Sequence, residues 1–160
     1  MKNLFIRIFI VITVLCAVLG VRGYAQSVTE AQATMVCERF LQENNRNSAT
    51  FKLEESIRAT DETVCLYRFG IEGTGFVIVS ASTTTPPVLA YSFDENFEWI
   101  PPVRDLFFLY EQEMQTAEKN GWSARPQAAA AWQRYLADQF VPQQPKQPGT
   151  LEQGPLLTTR

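Results

Sequence analysis

Leu66–Ser92, LYRFGIEGTGFVIVSASTTTPPVLAYS, decides the fold, because it places three short apolar runs and two turns within twenty-seven residues. The first run, Val64–Phe69, alternates. With Arg68 assigned to the wet side, Cys65, Tyr67 and Phe69 point to the core, and Cys65 points toward the face a first helix would cover. Gly70–Gly75 is a glycine-punctuated turn, so Phe76–Ser80 is expected to return as the partner strand of a hairpin. Phe76-Val77-Ile78-Val79 is continuous rather than alternating, as in a central strand covered on both faces. Ser82–Pro87 is a Thr- and Pro-rich turn in which Pro87 holds Pro86 extended, and Val88–Ser92 reads as the next strand. Upstream, Phe51–Ile57 alternates Phe51 and Leu53 with Lys52 and Glu54 and adds a fourth strand. The expected sheet has about four strands, mostly antiparallel.

Three helices frame this sheet. Residues 27–45 carry Ala33, Val36, Cys37, Phe40 and Leu41 on one face, with Ser27 as the N-cap and Glu30 in capping-box spacing. Pro101 and Pro102 lead into a helix over Val103–Asn120, ended by Gly121, whose buried face is read as Val103, Leu106, Phe107, Tyr110, Met114 and Ala117. Phe108 falls off that face, on the side of Arg104, Glu111 and Gln115. Residues 126–140 form the third helix, anchored by Trp132, Tyr135, Leu136 and Phe140. The fold class is therefore α+β: a mostly antiparallel sheet of about four strands with three helices packed on it.

Met1–Ala25 stands apart. Lys2 and Arg7 precede fourteen uncharged residues, Ile8–Val21, and Gly23-Tyr24-Ala25 sets small residues where a signal peptidase reads, so 1–25 is expected to be a cleaved signal peptide. The uncharged run is shorter than the about 20 residues a membrane span requires. Residues 27–140 then form one domain, and 141–160, with Pro142, Pro145 and Pro148 among polar residues, an extended linker and junction. Cleavage removes Lys2, Arg7 and Arg22, leaving 11 of the 14 basic residues against 17 acidic ones, a net of −6. An acidic surface disfavours nucleic acid and anionic membranes as partners. The expected location is secreted, periplasmic or extracellular.

The chain contains no histidine. Ser-His and Cys-His couples are therefore excluded within it, and the usual neutral nitrogen ligand for zinc is missing. The acidic pairs Glu54-Glu55, Asp61-Glu62, Asp94-Glu95 and Glu111/Glu113 read as surface charge, and Ser80 with Ser82–Thr85 as turn hydrogen bonders. Gly70, Gly73 and Gly75 fit no phosphate-binding fingerprint, since a strand follows where a helix is required. No catalytic residue, metal or cofactor is expected. Cys37 and Cys65 survive export into a compartment where disulfides persist; they either pair or stay as two buried thiols, and spacing leaves both open.

Surface recognition is what remains. Ser92–Trp99, SFDENFEW, joins the last strand to the long helix and carries Phe93, Phe97 and Trp99, more apolar area than a solvated loop holds. Part of it folds under the domain. The part left outside, with Phe108, forms an aromatic patch of the kind that anchors interfaces.

These elements, in order, resemble the pro-segment of streptopain-type cysteine peptidases and the streptopain (Spi) inhibitor family. Gly75-Phe76-Val77-Ile78-Val79-Ser80 followed by Pro87-Val88-Leu89-Ala90-Tyr91-Ser92 carries the resemblance, supported by Leu66-Tyr67-Arg68-Phe69, the helix from Val103 and the Trp132 helix. Gly154-Pro155-Leu156-Leu157-Thr158-Thr159 resembles the start of the mature peptidase. The resemblance implies a noncatalytic domain that docks beside the active-site cleft of a papain-like, streptopain-type peptidase and keeps it unproductive. It assigns the inhibitory contact to a segment, Asp94, Glu95, Asn96, Phe97, Glu98 and Trp99, with Phe93 and Phe108 as further partner surface. The alternatives are a pro-segment that assists folding of a peptidase, as in a truncated precursor, and a secreted binding module without a peptidase partner.

Overall fold

The structure, a computed structural model, describes residues 26–143. The signal peptide expected over 1–25 and the junction at 154–159 lie outside the described residues. The observed order is α1 (Glu30–Glu43), β1 (Phe51–Arg58), β2 (Val64–Ile71), β3 (Phe76–Ser80), β4 (Val88–Ser92), α2 (Pro101–Lys119) and α3 (Pro126–Leu136). The sheet is a meander, β1-β2-β3-β4, and every pairing is antiparallel. This is the expected α+β arrangement.

The sheet is the middle layer of three. On one face Tyr67, Phe69, Val77 and Val79 pack with Ala33, Val36, Cys37 and Leu41 of α1 and Trp132 and Tyr135 of α3. On the other, Leu66 and Ile78 pack with Phe107 and Met114 of α2. β3 is thus covered on both sides, which explains its unbroken apolar run. Each fully buried Val or Ile there contributes about 1.5–3 kcal/mol relative to exposure.

The β2–β3 turn needs its glycine at 75. Gly75 has φ +117°, and a Cβ there would lie 2.7 Å from the Ser92 carbonyl oxygen. An L side chain would be strained by its backbone and would also push β4 away.

Three bulges set which way side chains point, and the strict alternation expected of β2 fails at one of them. Ile57 pairs with Leu66 and Arg58 with Val64, so Cys65 is the extra residue on β2. A bulged residue is left unpaired and the alternation of faces slips. Cys65 therefore joins Leu66 on the α2 face, not the α1 face. Glu54 is the extra residue on β1 and Leu89 on β4.

The helix ends also differ from expectation. α1 is capped by Thr29, whose side chain accepts from the Gln32 N–H while Gln32 reaches back to the Thr29 N–H. Ser27 instead pairs with Ser82 in an isolated bridge, and Val28, buried, donates its N–H to the Ala81 carbonyl. The segment before the helix is used as a sheet extension, so the cap moves two residues on. α3 stops at Leu136 rather than 140: Ala137 is already extended, at φ −64° and ψ 145°, and the Arg39 guanidinium donates to Tyr135 O and, at 2.8 Å, to Ala137 O. Phe140 then turns back to stack on Tyr135 at 5.9 Å, beneath the Arg39 guanidinium.

Candidate functional site

The connection from β4 to α2 is short and tightly held. Ser92 Oγ accepts the N–H groups of Asp94 and Glu95 at 3.3 and 3.1 Å, turning the chain as it leaves β4. From Asn96 to Trp99 exposed and part-buried side chains then alternate. Phe97 and Trp99 go inward. The Phe97 ring sits 5.2 Å from Phe76, 4.9 Å from Trp99 and 6.0 Å from Phe107, and Trp99 lies 5.4 Å from Phe107. Asp94, Glu95, Asn96 and Glu98 go outward and are exposed. A six-residue segment anchored by two aromatic rings thus presents three carboxylates and one amide.

Arg68 forms the floor of this loop. Its guanidinium lies 5.2 Å from the Phe97 ring centroid and pairs with Glu54 at 2.5 Å and Glu55 at 3.2 Å. The β1 bulge makes this possible, since neighbouring residues of a regular strand would face opposite ways. Arg68 is accordingly half-buried under Phe97 rather than on the wet side. Sequence reading missed this role, and the one available signal was the surplus of aromatic residues in the loop above a lone strand arginine.

Beside the loop, Ile100 at the N-cap and Leu106, Phe108 and Leu109 in the first half of α2 are exposed, with Phe108 57% and Leu109 64% accessible. Leu106, expected on the buried face, is one of them: Val103, Phe107, Tyr110, Met114 and Ala117 already cover the sheet, and Leu106 lies at the flank of that stripe. Trp99 and Phe108 line one shallow cleft of about 400 Å³ together with Arg58 and Arg104. Phe93 does not join them. It packs on the opposite face, 5.1 Å from Tyr91 and 6.3 Å from Phe40, under the guanidinium of Arg46 at 4.9 Å. The structure therefore brings together the loop 94–99 and Phe108, and separates Phe93 from both.

The remaining chemistry-bearing residues have structural partners. Ser80 Oγ and Thr85 Oγ1 are 2.6 Å apart and Ser82 Oγ and Thr84 Oγ1 2.8 Å apart, while Trp132 Nε1 donates to Thr85 O at 2.8 Å. These bonds fix the β3–β4 turn against α3. Cys37 and Cys65 are both free and buried. A disulfide between them is not formed, because Cys37 lies on α1 over one face of the sheet and Cys65 faces α2 on the other. A sheet layer between them is incompatible with the Cα separation of about 4.4–6.8 Å that a disulfide needs. Burial pushes the Cys37 thiol up to about 12, helped by the nearby Glu38 charge, and the Cys65 thiol up to about 11, helped chiefly by Glu111. Neither is a nucleophile at neutral pH.

Among the described residues, no helix is long and apolar enough to cross a membrane, and no cluster of three His, Cys, Asp or Glu side chains forms a metal site. A second polar cluster, absent from any reading of the sequence, sits at the end of α1. Glu43 accepts from Arg134, from the Tyr135 hydroxyl at 2.6 Å and from the Gln143 N–H at 3.2 Å, tying α1 to α3 and to the chain beyond it.

No curated protein and no solved structure matches the chain. The family model described as Spi protease inhibitor matches residues 25–114, which include α1, the whole sheet, the loop 94–99 and α2 as far as Met114. That is more than half of the chain, and it is continuous across every element that builds the site. By that match the chain belongs to the Spi protease inhibitor family, a family of inhibitor and propeptide-type domains.

Proposed function

We propose that this is a secreted, noncatalytic inhibitor that binds a streptopain-like cysteine peptidase and closes its active-site cleft without covalent chemistry. The observation that carries the reading is the loop 94–99. Phe97 and Trp99 pin it to the domain, so its outward residues are pre-ordered and pay little entropy on binding. Asp94, Glu95, Asn96 and Glu98 would enter or rim the cleft, and the exposed apolar flank of α2 with Phe108 would supply the buried centre that a stable interface needs. Phe93, packed on the other face, belongs to the fold in this reading. Residues 1–25 act as the export signal, 27–140 as the inhibitor domain, and 141–160 as linker and junction.

Titrating the exported chain into an active streptopain-type peptidase should abolish turnover near one equivalent. Full activity at micromolar excess would remove the proposal. The similarity of Gly154–Thr159 to a mature peptidase start favours a second reading, a pro-segment that assists folding of the enzyme. Refolding yield of the peptidase with and without the domain separates the two, because a folding assistant raises yield whereas a pure inhibitor leaves it unchanged.

A further inference from the structure

The two edges of the sheet are not alike. β1, at one edge, carries Lys52, Glu54, Glu55 and Arg58, the kind of charged residues by which edge strands discourage pairing with another chain. β4, at the other, runs Val88-Leu89-Ala90-Tyr91-Ser92 without a charge, and no strand lies beyond it among the described residues. Beside β4 runs a shallow groove of about 530 Å³, walled by Phe40 of α1 and by Ala131 and Tyr135 of α3, and none of the residues lining it is charged. Tyr91 is 51% accessible and meets Phe40 edge to face at 4.8 Å.

The hydrogen-bond ladder fixes which backbone groups this edge offers. Ile71 donates its N–H to Gly75 O and Ala81 donates to Cys65 O, so odd-numbered positions along β3 bond to β2 and even-numbered ones to β4. Ser80 accordingly donates to Pro87 O. Tyr91 pairs with Val77 and Val88 with Val79, both odd, so Tyr91 and Val88 turn their own N–H and C=O groups away from β3, toward the free edge. The bulge at Leu89 sets these two positions three residues apart instead of two. Outward-facing strand groups are a template for an added extended segment: main-chain bonds supply affinity and an adjoining side-chain pocket supplies selectivity.

We propose that β4 is a strand-addition site, and that its occupant is an extended, uncharged segment of the peptidase, bonded to the N–H and C=O groups of Val88 and Tyr91 and seating an aliphatic side chain against Phe40 and Tyr135. This rests on the inhibitor reading and says how the partner is held. Tyr91 stands three residues before Asp94, so one partner can pair with the edge and meet the loop 94–99 at once.

Hydrogen exchange on the exported chain, alone and in complex with a streptopain-type peptidase whose catalytic cysteine is replaced by alanine, tests this. The Val88 and Tyr91 amides should exchange fast in the free chain and at least about tenfold more slowly in the complex. Tyr91→Pro removes the outward N–H at an edge position where proline is tolerated, and should weaken binding about fivefold or more relative to Tyr91→Ala, which removes the ring and keeps the donor. A complex in which Val88 and Tyr91 exchange as in the free chain overturns the strand addition and leaves the inhibitor reading standing, whereas no complex at all removes both. Protection that appears on concentrating the chain alone makes a second copy the occupant and also overturns the proposal.

Discussion

Arg68 stacks beneath Phe97, with its guanidinium carbon 5.2 Å from the ring centroid, and so joins the middle of the sheet to the loop that precedes α2. The same guanidinium holds Glu54 and Glu55. One cation thus organises the β1 bulge and the loop together. In a double-mutant cycle on Arg68→Met and Phe97→Leu, the coupling should be about 0.5–1 kcal/mol by urea unfolding, the size of a partly exposed cation–π pair. Strict additivity would mean the stacking contributes nothing.

The Glu43 cluster predicts a larger effect. Its side chain is 10% accessible and Arg134 27%, so the pair is shielded but not dry. Glu43→Gln keeps the shape and removes the charge that Arg134, Tyr135 and Gln143 all address. The expected loss is about 2 kcal/mol, below the about 3–5 of a fully buried broken pair because Arg134 can still reach water. Hydrogen exchange at Gln143 should speed up in the same variant, and an unchanged rate would show that the backbone bond does not depend on the carboxylate.

Stability should fall as pH rises above the ordinary thiol value of 9.0. The folded Cys37 and Cys65 thiols are raised to about 12 and about 11, so below 9 neither state ionises and the stabilising term is fully present. Between about 9 and 11 the unfolded chain releases two protons that the native state keeps, and stability declines toward a limit of about 1.4 kcal/mol per pH unit for each thiol. The decline ends as the folded thiols themselves titrate. Chemical denaturation at pH 8 and pH 10 measures it, and a Cys37→Ala/Cys65→Ala variant should flatten the slope. An unchanged slope in that variant would assign alkaline sensitivity to other groups.

The sheet was legible because its signals are local. Gly70–Gly75, Pro86-Pro87 and the buried run Phe76–Ser80 bound β3 and β4 at the residues observed. The orientation of Cys65 was not, since a bulge arises from pairing between strands and leaves no mark on one strand's own alternation. Strand pairing also hid the role of Arg68, whose partners are thirteen and fourteen residues away on the neighbouring strand and twenty-nine away in the loop. The aromatic loop drew attention as excess apolar area, but which rings go in depends on α2, and only the packed helix shows that Phe97 and Trp99 share Phe107 while Phe93 serves the other core. Glu43 gave no signal at all, being one acid at the end of a helix whose donors lie about ninety residues on.

The loop's outward carboxylates carry the last prediction. Asp94, Glu95 and Glu98 are exposed, and α2 exposes Leu106, Phe108 and Leu109 beside Arg104 and Asp105, so on the proposed function the charges form the rim and the leucines with Phe108 the centre of the contact. Rim charges act mainly on the encounter rate and its salt dependence, whereas buried apolar anchors act on dissociation. The triple variant Asp94→Asn/Glu95→Gln/Glu98→Gln should therefore slow association with the peptidase several-fold at low salt, with little difference from the parent at about 1 M salt, where the screening length is about 3 Å. Phe108→Ala should instead speed dissociation, by about fivefold or more if it costs the at least 1 kcal/mol of an interface anchor. Both variants change only exposed side chains, so unfolding midpoints should stay with the parent. If dissociation responds to the carboxylates and association to Phe108, the centre of the interface lies on the loop and α2 is its edge.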